Sequence, residues 1–294
     1  MNAQLSPTPA GQILLGVPAS EYQRRELGVA SSGLLAKMRV WTPAHVKAWA
    51  ASKDDGDTPA KAFGKAYHCR VFEPEVFAAT YALPPVDPPR DLRHLRNAKS
   101  PSEATLEAIA WWDDYAAQNA GKIMLSQEQF ELIEEMLAGL KANPLVNKLL
   151  FVDAGDNEVT LRWVDADTGV ECKARPDRWL RAMRVMLDLK STDDAELSAF
   201  MRSVEKYGYH IQHSHYSAGA AACGEPLDEF LIVAQEKEAP YLARIFRVDT
   251  GAEARGFELR ERGLQTLKRC IETQTWPGYT GITEITLPAW AMKD

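Results

Sequence analysis

The sequence predicts an α/β (α+β) fold in which a mixed central sheet is flanked by helices. Two observations support this prediction. Apolar residues recur at helical spacing through most of the first half of the chain, whereas strand-like runs and helical segments follow each other in the second half. The predicted order is helices, three strands, a helix, two strands and a helix, which is typical of a mixed sheet with helices packed against it.

Length and composition allow a substantial core. With 294 residues, 46% of them hydrophobic, the chain can form one large domain or two small ones. Residues 1–18 contain three prolines and little periodic pattern, so we predict a flexible arm there. We expect residues 19–294 to form a single domain, with a helical part over about 19–150 and a core over about 151–294.

The charge balance restricts the kinds of partner. With 34 Lys plus Arg against 41 Asp plus Glu, the chain is not expected to coat nucleic acid over its whole surface, although a local basic groove remains compatible. No apolar run approaches the roughly 18 residues that span a bilayer, and no secretory signal pattern opens the sequence, so we expect a cytoplasmic protein with no membrane partner. The four cysteines form no CxxC pair, so we expect reduced thiols.

Helical spacing predicts the elements of the first half. Two short helical stretches between residues 20 and 50 are followed by a helix over 58–72, which carries His68. Further helices are predicted over 102–119 and 127–141, the second opened by a capping box of Ser126 and Gln129, and a short helix starts at Pro144.

A proline-rich and basic stretch interrupts these helices. Residues 81–100 combine four prolines with several cations and predict a long loop. We consider two interpretations, a loop that contacts a polyanion through Arg93 and Arg96 and a solvated run of charge.

The second half begins with three strand-like runs. They cover 158–164, 170–179 and 184–189, and the turn signals between them predict an antiparallel meander. A helical segment over 193–222, strands over 229–235 and 241–248 and a final helix over 251–273 complete the chain.

The sharpest chemical feature is the set Asp177, Asp188 and Lys190. Alternate residues of a strand share a face, so neighbouring strands can direct these three side chains toward one region. Two aspartates, one backbone carbonyl, assigned to Leu189, and bound waters suit Mg²⁺. The lysine ammonium can orient a water and favour hydroxide by its charge. An Asp-x-Lys alone is often a surface ion pair, but the apolar run over 185–189 makes an unpaired charge there costly.

Polar residues downstream add to this set. Gln212 and Tyr216 are four residues apart in a helical segment and share one face, from which they can reach a nucleotide or brace the metal site. If the partner is a nucleic acid, we expect Arg175 and Arg178 beside the metal, near the phosphate that reacts, and Arg93 and Arg96 along the path of the bound DNA.

These segments resemble a known family. Asp177, Asp188-Leu189-Lys190, Gln212 and Tyr216 are similar to the motifs of RecB-type PD-(D/E)xK nucleases. The stretch over 64–74 and the endings over 276–279 and 287–291 resemble the nuclease domain of phage and prophage exonuclease VIII (RecE). The resemblance extends from about residue 16 to the C-terminus. One departure is Asp188, where many members of the superfamily have glutamate.

The resemblance implies a restriction-endonuclease-like core and a Mg²⁺-dependent exodeoxyribonuclease, with Mn²⁺ as a possible substitute. It implies that linear double-stranded DNA is digested 5′ to 3′, which leaves 3′ single-stranded tails for an annealing partner of the RecT type. By motif position, His68, Asp177 and Asp188 become metal ligands and Lys190 the catalytic lysine. It also implies a homo-oligomeric ring, with a tetramer expected, in a bacterial host that carries the phage or prophage.

Three alternatives are weighed against this interpretation. A RecB-type nuclease with an iron–sulfur cluster needs closely spaced cysteines, which the sequence lacks. A non-catalytic DNA-binding or scaffold protein could keep the same fold, although the complete Asp177, Asp188 and Lys190 set argues against it. A RecB-type nuclease of different polarity stays open.

Overall fold

The computed structural model describes residues 11–52 and 57–292. Its helices are α1 (Ala19–Tyr22), α2 (Ser32–Met38), α3 (Pro43–Ala51), α4 (Pro59–Phe72), α5 (Pro74–Thr80), α6 (Glu103–Gln118), α7 (Gln127–Ala142), α8 (Pro144–Asn147), α9 (Leu197–Tyr207), α10 (Tyr209–Ala222) and α11 (Thr250–Thr273). Its strands are β1 (Gly11–Leu14), β2 (Val29–Ala30), β3 (Tyr81–Ala82), β4 (Ile123–Met124), β5 (Asp156–Asn157), β6 (Thr160–Val164), β7 (Glu171–Ala174), β8 (Arg178–Leu180), β9 (Val185–Thr192), β10 (Glu229–Glu236) and β11 (Ala243–Arg247).

The strands form a mixed sheet with helices on it, which confirms the predicted fold class. The larger sheet has the order β11-β10-β9-β8-β5, in which β9 and β10 are parallel and the other pairs antiparallel. A second sheet has the order β1-β6-β7-β2, and β3 pairs with β4. None of the helices over 11–52 and 57–292 has the length and apolarity needed to cross a bilayer.

Side-chain alternation in the larger sheet produces two different faces. Leu187 and Leu189 of β9 pack into a core with α4 and α7. Met186 and its neighbours on β10 pack into the other core, together with residues of α2, α10 and α11. Because successive strand residues point to opposite faces, Asp188 shares the second face with Met186 and is covered by α10.

The predicted meander is wrong at its middle strand. The run over 170–179 is divided into β7 and β8, which belong to different sheets. Pro176 lies between them, and since proline has no backbone N–H, it cannot continue a ladder of hydrogen bonds. The chain therefore passes from one sheet to the other immediately before Asp177.

Two further expectations need correction. The predicted arm over 1–18 falls partly outside the described residues, but β1 over 11–14 pairs with β6, from Gly11 opposite Trp163 to Leu14 opposite Thr160. The predicted helix over 193–222 is two helices, because Gly208 between them has a φ of 74°. A left-handed glycine commonly ends a helix, and it allows α10 to turn back over the sheet.

Candidate active site

Sheet pairing brings the two aspartates together. In the antiparallel register of β8 and β9, Arg178 lies opposite Leu187. Extended by one residue, this register places Asp177, which lies just before β8, opposite Asp188. Lys190 follows on the same face of β9 as Asp188, as the sequence predicts.

Asp177 is held by backbone and side-chain contacts. Its Oδ2 accepts a hydrogen bond from the Leu189 N–H at 2.6 Å and lies 3.4 Å from Nδ1 of His68 on α4. The N–H and C=O of one strand residue point to the same edge, so the Leu189 carbonyl also faces the Asp177 side of β9. This geometry is compatible with the predicted role of that carbonyl.

Asp188 is almost fully buried, with 3% of its side chain exposed, and contacts residues of β9 and α10. It forms an ion pair with Lys190 and accepts a hydrogen bond from the Gln212 side-chain amide. The Lys190 ammonium also lies 4.8 Å from the centre of the Tyr209 ring, a cation–π contact at the start of α10. The first turns of α10 therefore fix both members of the pair.

Glu158 is a site residue that the sequence did not reveal. Its carboxylate, that of Asp177 and the His68 imidazole each offer a ligand atom, and these atoms lie within 4.8 Å of one another. Glu158 has a φ of 51°, which is uncommon for a residue with a side chain and costs about 1–3 kcal/mol. Such strain is typical of functional positions, but only sheet pairing brings this turn to Asp177.

The carboxylates crowd negative charge into this region. Burial, together with the charge of Asp177, raises the pKa of Glu158 to about 7 against the opposing effect of Arg175. Burial also raises the pKa of Asp188 to about 6, although Lys190 opposes the rise. Burial disfavours ionisation of Asp177 too, but His68 and Lys190 outweigh it and lower the pKa of that carboxyl.

For the two basic groups, Lys190 and His68, burial acts on the pKa in the opposite direction. Burial disfavours the charge on Lys190, but Asp188 and Asp177 outweigh it and raise the pKa of the ammonium above its usual range. Burial likewise disfavours protonation of His68, and the Asp177 carboxylate raises the pKa of the imidazole. Lys190 therefore stays charged at neutral pH.

These residues fit a divalent cation. A nearby dication favours ionised carboxylates. Burial is the main cause of the raised pKa values of Glu158 and Asp188, and the charge of a bound cation would lower both. Asp188 Oδ2 is buried, and within residues 11–52 and 57–292 it has no hydrogen-bond partner besides its ion pair with Lys190. Carboxylate oxygens are ligands that Mg²⁺ and Mn²⁺ accept.

Two predicted phosphate contacts are wrong. Arg178 points away from Asp177, and its guanidinium donates to the carbonyls of Leu149 and Asp153 and to the Asn157 side chain. Arg175 is 6% exposed and binds Glu158. Both guanidinium groups are buried and occupied by protein acceptors, so neither is available to a phosphate.

The helical pair on α10 braces the site. Gln212 donates to Asp188, and the Tyr216 hydroxyl donates to the Arg175 carbonyl at 3.0 Å. Tyr216 is 4% exposed, so it cannot contact DNA in this structure. Of the two functions weighed for this pair, the contacts favour bracing.

The basic loop is largely irregular, as predicted, but its two assigned arginines are already paired. Arg93 forms an ion pair with Asp91 at 2.7 Å, and Arg96 with Asp113 at 2.5 Å. Both arginine side chains are about half exposed, 40% and 52%. Phosphates would compete with these carboxylates or bind the remaining donors of the two guanidinium groups.

Comparison with solved structures gives the same fold. A candidate exonuclease from Eubacterium rectale is similar over 95% of this chain and 98% of its own, with a TM-score of 0.58 and 13% identity. A phage-related exonuclease from Haemophilus somnus 129PT is similar over 64% of this chain and 91% of its own, with 12% identity, but its TM-score of 0.31 is too low to support an argument.

The sequence comparisons locate the family. No curated protein matches the chain significantly. The family model of the PDDEXK-like domain of unknown function DUF3799 matches residues 31–287, which include His68, Glu158, Asp177, Asp188 and Lys190. The match does not single out exonuclease VIII within the wider superfamily. The chain belongs to the DUF3799 family of PDDEXK-like domains.

Proposed function

We propose that this protein is a divalent-metal-dependent exodeoxyribonuclease that digests one strand of linear double-stranded DNA from 5′ to 3′ and leaves a 3′ single-stranded tail. The observation that carries this proposal is the approach of two groups around β8 and β9, namely the His68, Glu158 and Asp177 cluster and the ion pair of Asp188 with Lys190. The His68 and Lys190 side chains are 26% and 20% exposed, so solvent reaches the cluster.

In this proposal, His68 and the carboxylates of Asp177, Asp188 and Glu158 would hold the cation. The cation would be Mg²⁺, with Mn²⁺ as a substitute. When bound, it would offset negative charge on the phosphate and make water a stronger nucleophile. Lys190 remains protonated, so it acts by charge and hydrogen bonding rather than as a general base. Asp188 and Tyr209 hold its ammonium in one position, and Gln212 fixes Asp188.

The finer parts of the proposal have separate support. Polarity, a RecT-type annealing partner, a tetrameric ring and a cytoplasmic location in a phage-carrying bacterium rest on the sequence resemblance to exonuclease VIII. Exonuclease action is also the description of the Eubacterium rectale protein with the similar fold. We place the DNA path across the loop of Arg93 and Arg96, where phosphates would compete with Asp91 and Asp113.

The test uses linear duplexes in which either both 5′ ends or both 3′ ends are blocked by phosphorothioate linkages. The wild-type protein should release nucleotides in Mg²⁺ from duplexes with blocked 3′ ends and fail on duplexes with blocked 5′ ends. The reverse pattern would contradict the proposed polarity but would still support nuclease activity. Cleavage of closed circular duplex would contradict exonuclease action, and no cleavage of any substrate would favour a DNA-binding scaffold.

A further inference from the structure

Arg175 lies beneath the candidate site and joins several parts of the chain. Its Nε donates to Oε2 of Glu158 at 2.5 Å, and its Nη1 donates to the Val17 carbonyl at 2.6 Å. Nη2 lies 3.6 Å from Oε1 of Glu73 at the end of α4. The Arg175 side chain is 5% exposed, so this cation serves groups inside the protein.

Glu158 needs such a partner because its backbone alone does not determine where its carboxylate points. The Glu158 N–H donates to the Asp177 carbonyl at 3.1 Å, which fixes the left-handed turn beside the cluster. Arg175 then engages one carboxylate oxygen, Oε2. Among the described residues, no side chain hydrogen-bonds the other oxygen, Oε1, which is therefore available to the cluster of His68 and Asp177.

The guanidinium is suited to this task. It is planar, always charged and carries donors in fixed directions, so it can bind Glu158 and the Val17 carbonyl at the same time. It also offsets the negative charge of a buried carboxylate. A lysine would keep the charge but lose the fork of donors that holds both acceptors.

We propose that Arg175 is a positioning residue, which orients Glu158 as a ligand for the cation shared with His68 and Asp177. This inference rests on the proposed metal-dependent function. It assigns to Arg175 a role through Glu158 and no contact with DNA. Partners that orient metal ligands typically change metal affinity by about 10–100-fold when they are replaced.

The test is a Mn²⁺ titration followed by electron paramagnetic resonance of the free ion, without DNA. It compares wild type, Arg175→Lys, Glu158→Gln and the double variant. Arg175→Lys should weaken Mn²⁺ binding about tenfold in the wild-type background. It should change affinity little in the Glu158→Gln background, because the ligand that Arg175 orients is already impaired.

A matched control is Arg162→Lys. Arg162 lies on β6, which pairs with β7, the strand that ends one residue before Arg175. Its guanidinium forms an ion pair with Glu26 at 2.9 Å. The Mn²⁺ affinity of Arg162→Lys should equal that of wild type. If Arg175→Lys does not fold, Glu158→Asp provides the second variant. It keeps the charge but shortens the reach, so it should also weaken Mn²⁺ binding about tenfold.

The outcomes separate this inference from the proposed function. Wild-type affinity in Arg175→Lys, equal losses in both backgrounds, or wild-type affinity in Glu158→Asp would overturn the role of Arg175 while the metal site stands. If wild type itself bound no Mn²⁺, the metal-dependent function and the inference would fail together.

Discussion

Replacement of Lys190 by methionine removes the ammonium group from the site and keeps most of the length of the side chain. The ammonium lies against Asp188, with 20% of the Lys190 side chain exposed, and remains protonated at neutral pH. At an effective dielectric constant of 20, a unit charge about 4 Å away contributes roughly 4 kcal/mol. Loss of one positioned donor to a developing negative charge typically costs about 2.7–4 kcal/mol, or a factor of 10²–10³ in kcat. We therefore predict a loss of about 10²–10³ in turnover for Lys190→Met.

The assay is single-turnover nucleotide release from a linear duplex in Mg²⁺, with Mn²⁺ and DNA binding measured on the same preparations. Lys148→Met is the control, because Lys148 forms an exposed ion pair with Asp153 at 2.9 Å. The control should retain wild-type turnover, and Lys190→Met should still bind DNA. Turnover of Lys190→Met within a few-fold of wild type would refute the role of this ammonium.

Three further predictions concern DNA contact and stability. The double variant Arg93→Ala, Arg96→Ala should lower the slope of log affinity against log salt by about two, since each duplex phosphate contact contributes roughly 0.9; an unchanged slope would remove the loop from the DNA path. Burial raises the pKa of the Asp165 carboxyl, but the contacts with Thr168 and Arg260 outweigh this effect and hold the pKa below its usual value. These contacts therefore stabilise the fold above the unfolded pKa of about 3.9, and the stabilisation is lost as pH falls through the folded pKa. In urea titrations, Asp165→Asn should flatten the acid side of the stability profile, and a profile parallel to wild type would contradict this. Gly256→Ala should lower the free energy of unfolding by about 1–3 kcal/mol, because the added Cβ would overlap a backbone carbonyl of α10. If this variant unfolded at the same temperature as wild type, α10 and α11 would move apart without cost and the prediction would be wrong.

The strand of the candidate site could be predicted from the sequence because the relevant signals are local. Asp188 and Lys190 are two residues apart in an apolar strand, so their shared face follows from strand periodicity alone. Asp177 follows Pro176, and its proximity to Asp188 depends only on the pairing of adjacent strands. The long helices followed from apolar periodicity, and their observed bounds differ by a few residues at most.

The parts of the fold and the candidate site that the sequence did not predict depend on packing between distant segments. Glu158 reaches Asp177 through a left-handed turn that no spacing rule indicates. Arg175 and Arg178 both looked available to phosphate, since the sequence shows a charge without its partners. Only the folded chain shows that Arg178 points to the opposite side and that Arg175 is occupied by Glu158. The division of α9 from α10 was missed because Gly208 is compatible with a helix interior until its φ is known.

The most direct test of the account is nucleotide release from linear duplex DNA by wild type and by Asp177→Ala, each in Mg²⁺, in Ca²⁺ and in EDTA. Asp177 lies at the centre of the cluster, next to His68, Glu158 and the Leu189 N–H. Wild type should release nucleotides in Mg²⁺ and lose activity in EDTA. Ca²⁺ should permit DNA binding with little cleavage, because its ligands lie at longer distances in looser geometry. Asp177→Ala should be inactive in all three conditions, and cleavage by wild type in EDTA, or by Asp177→Ala at the wild-type rate, would contradict a metal-dependent nuclease built on this cluster.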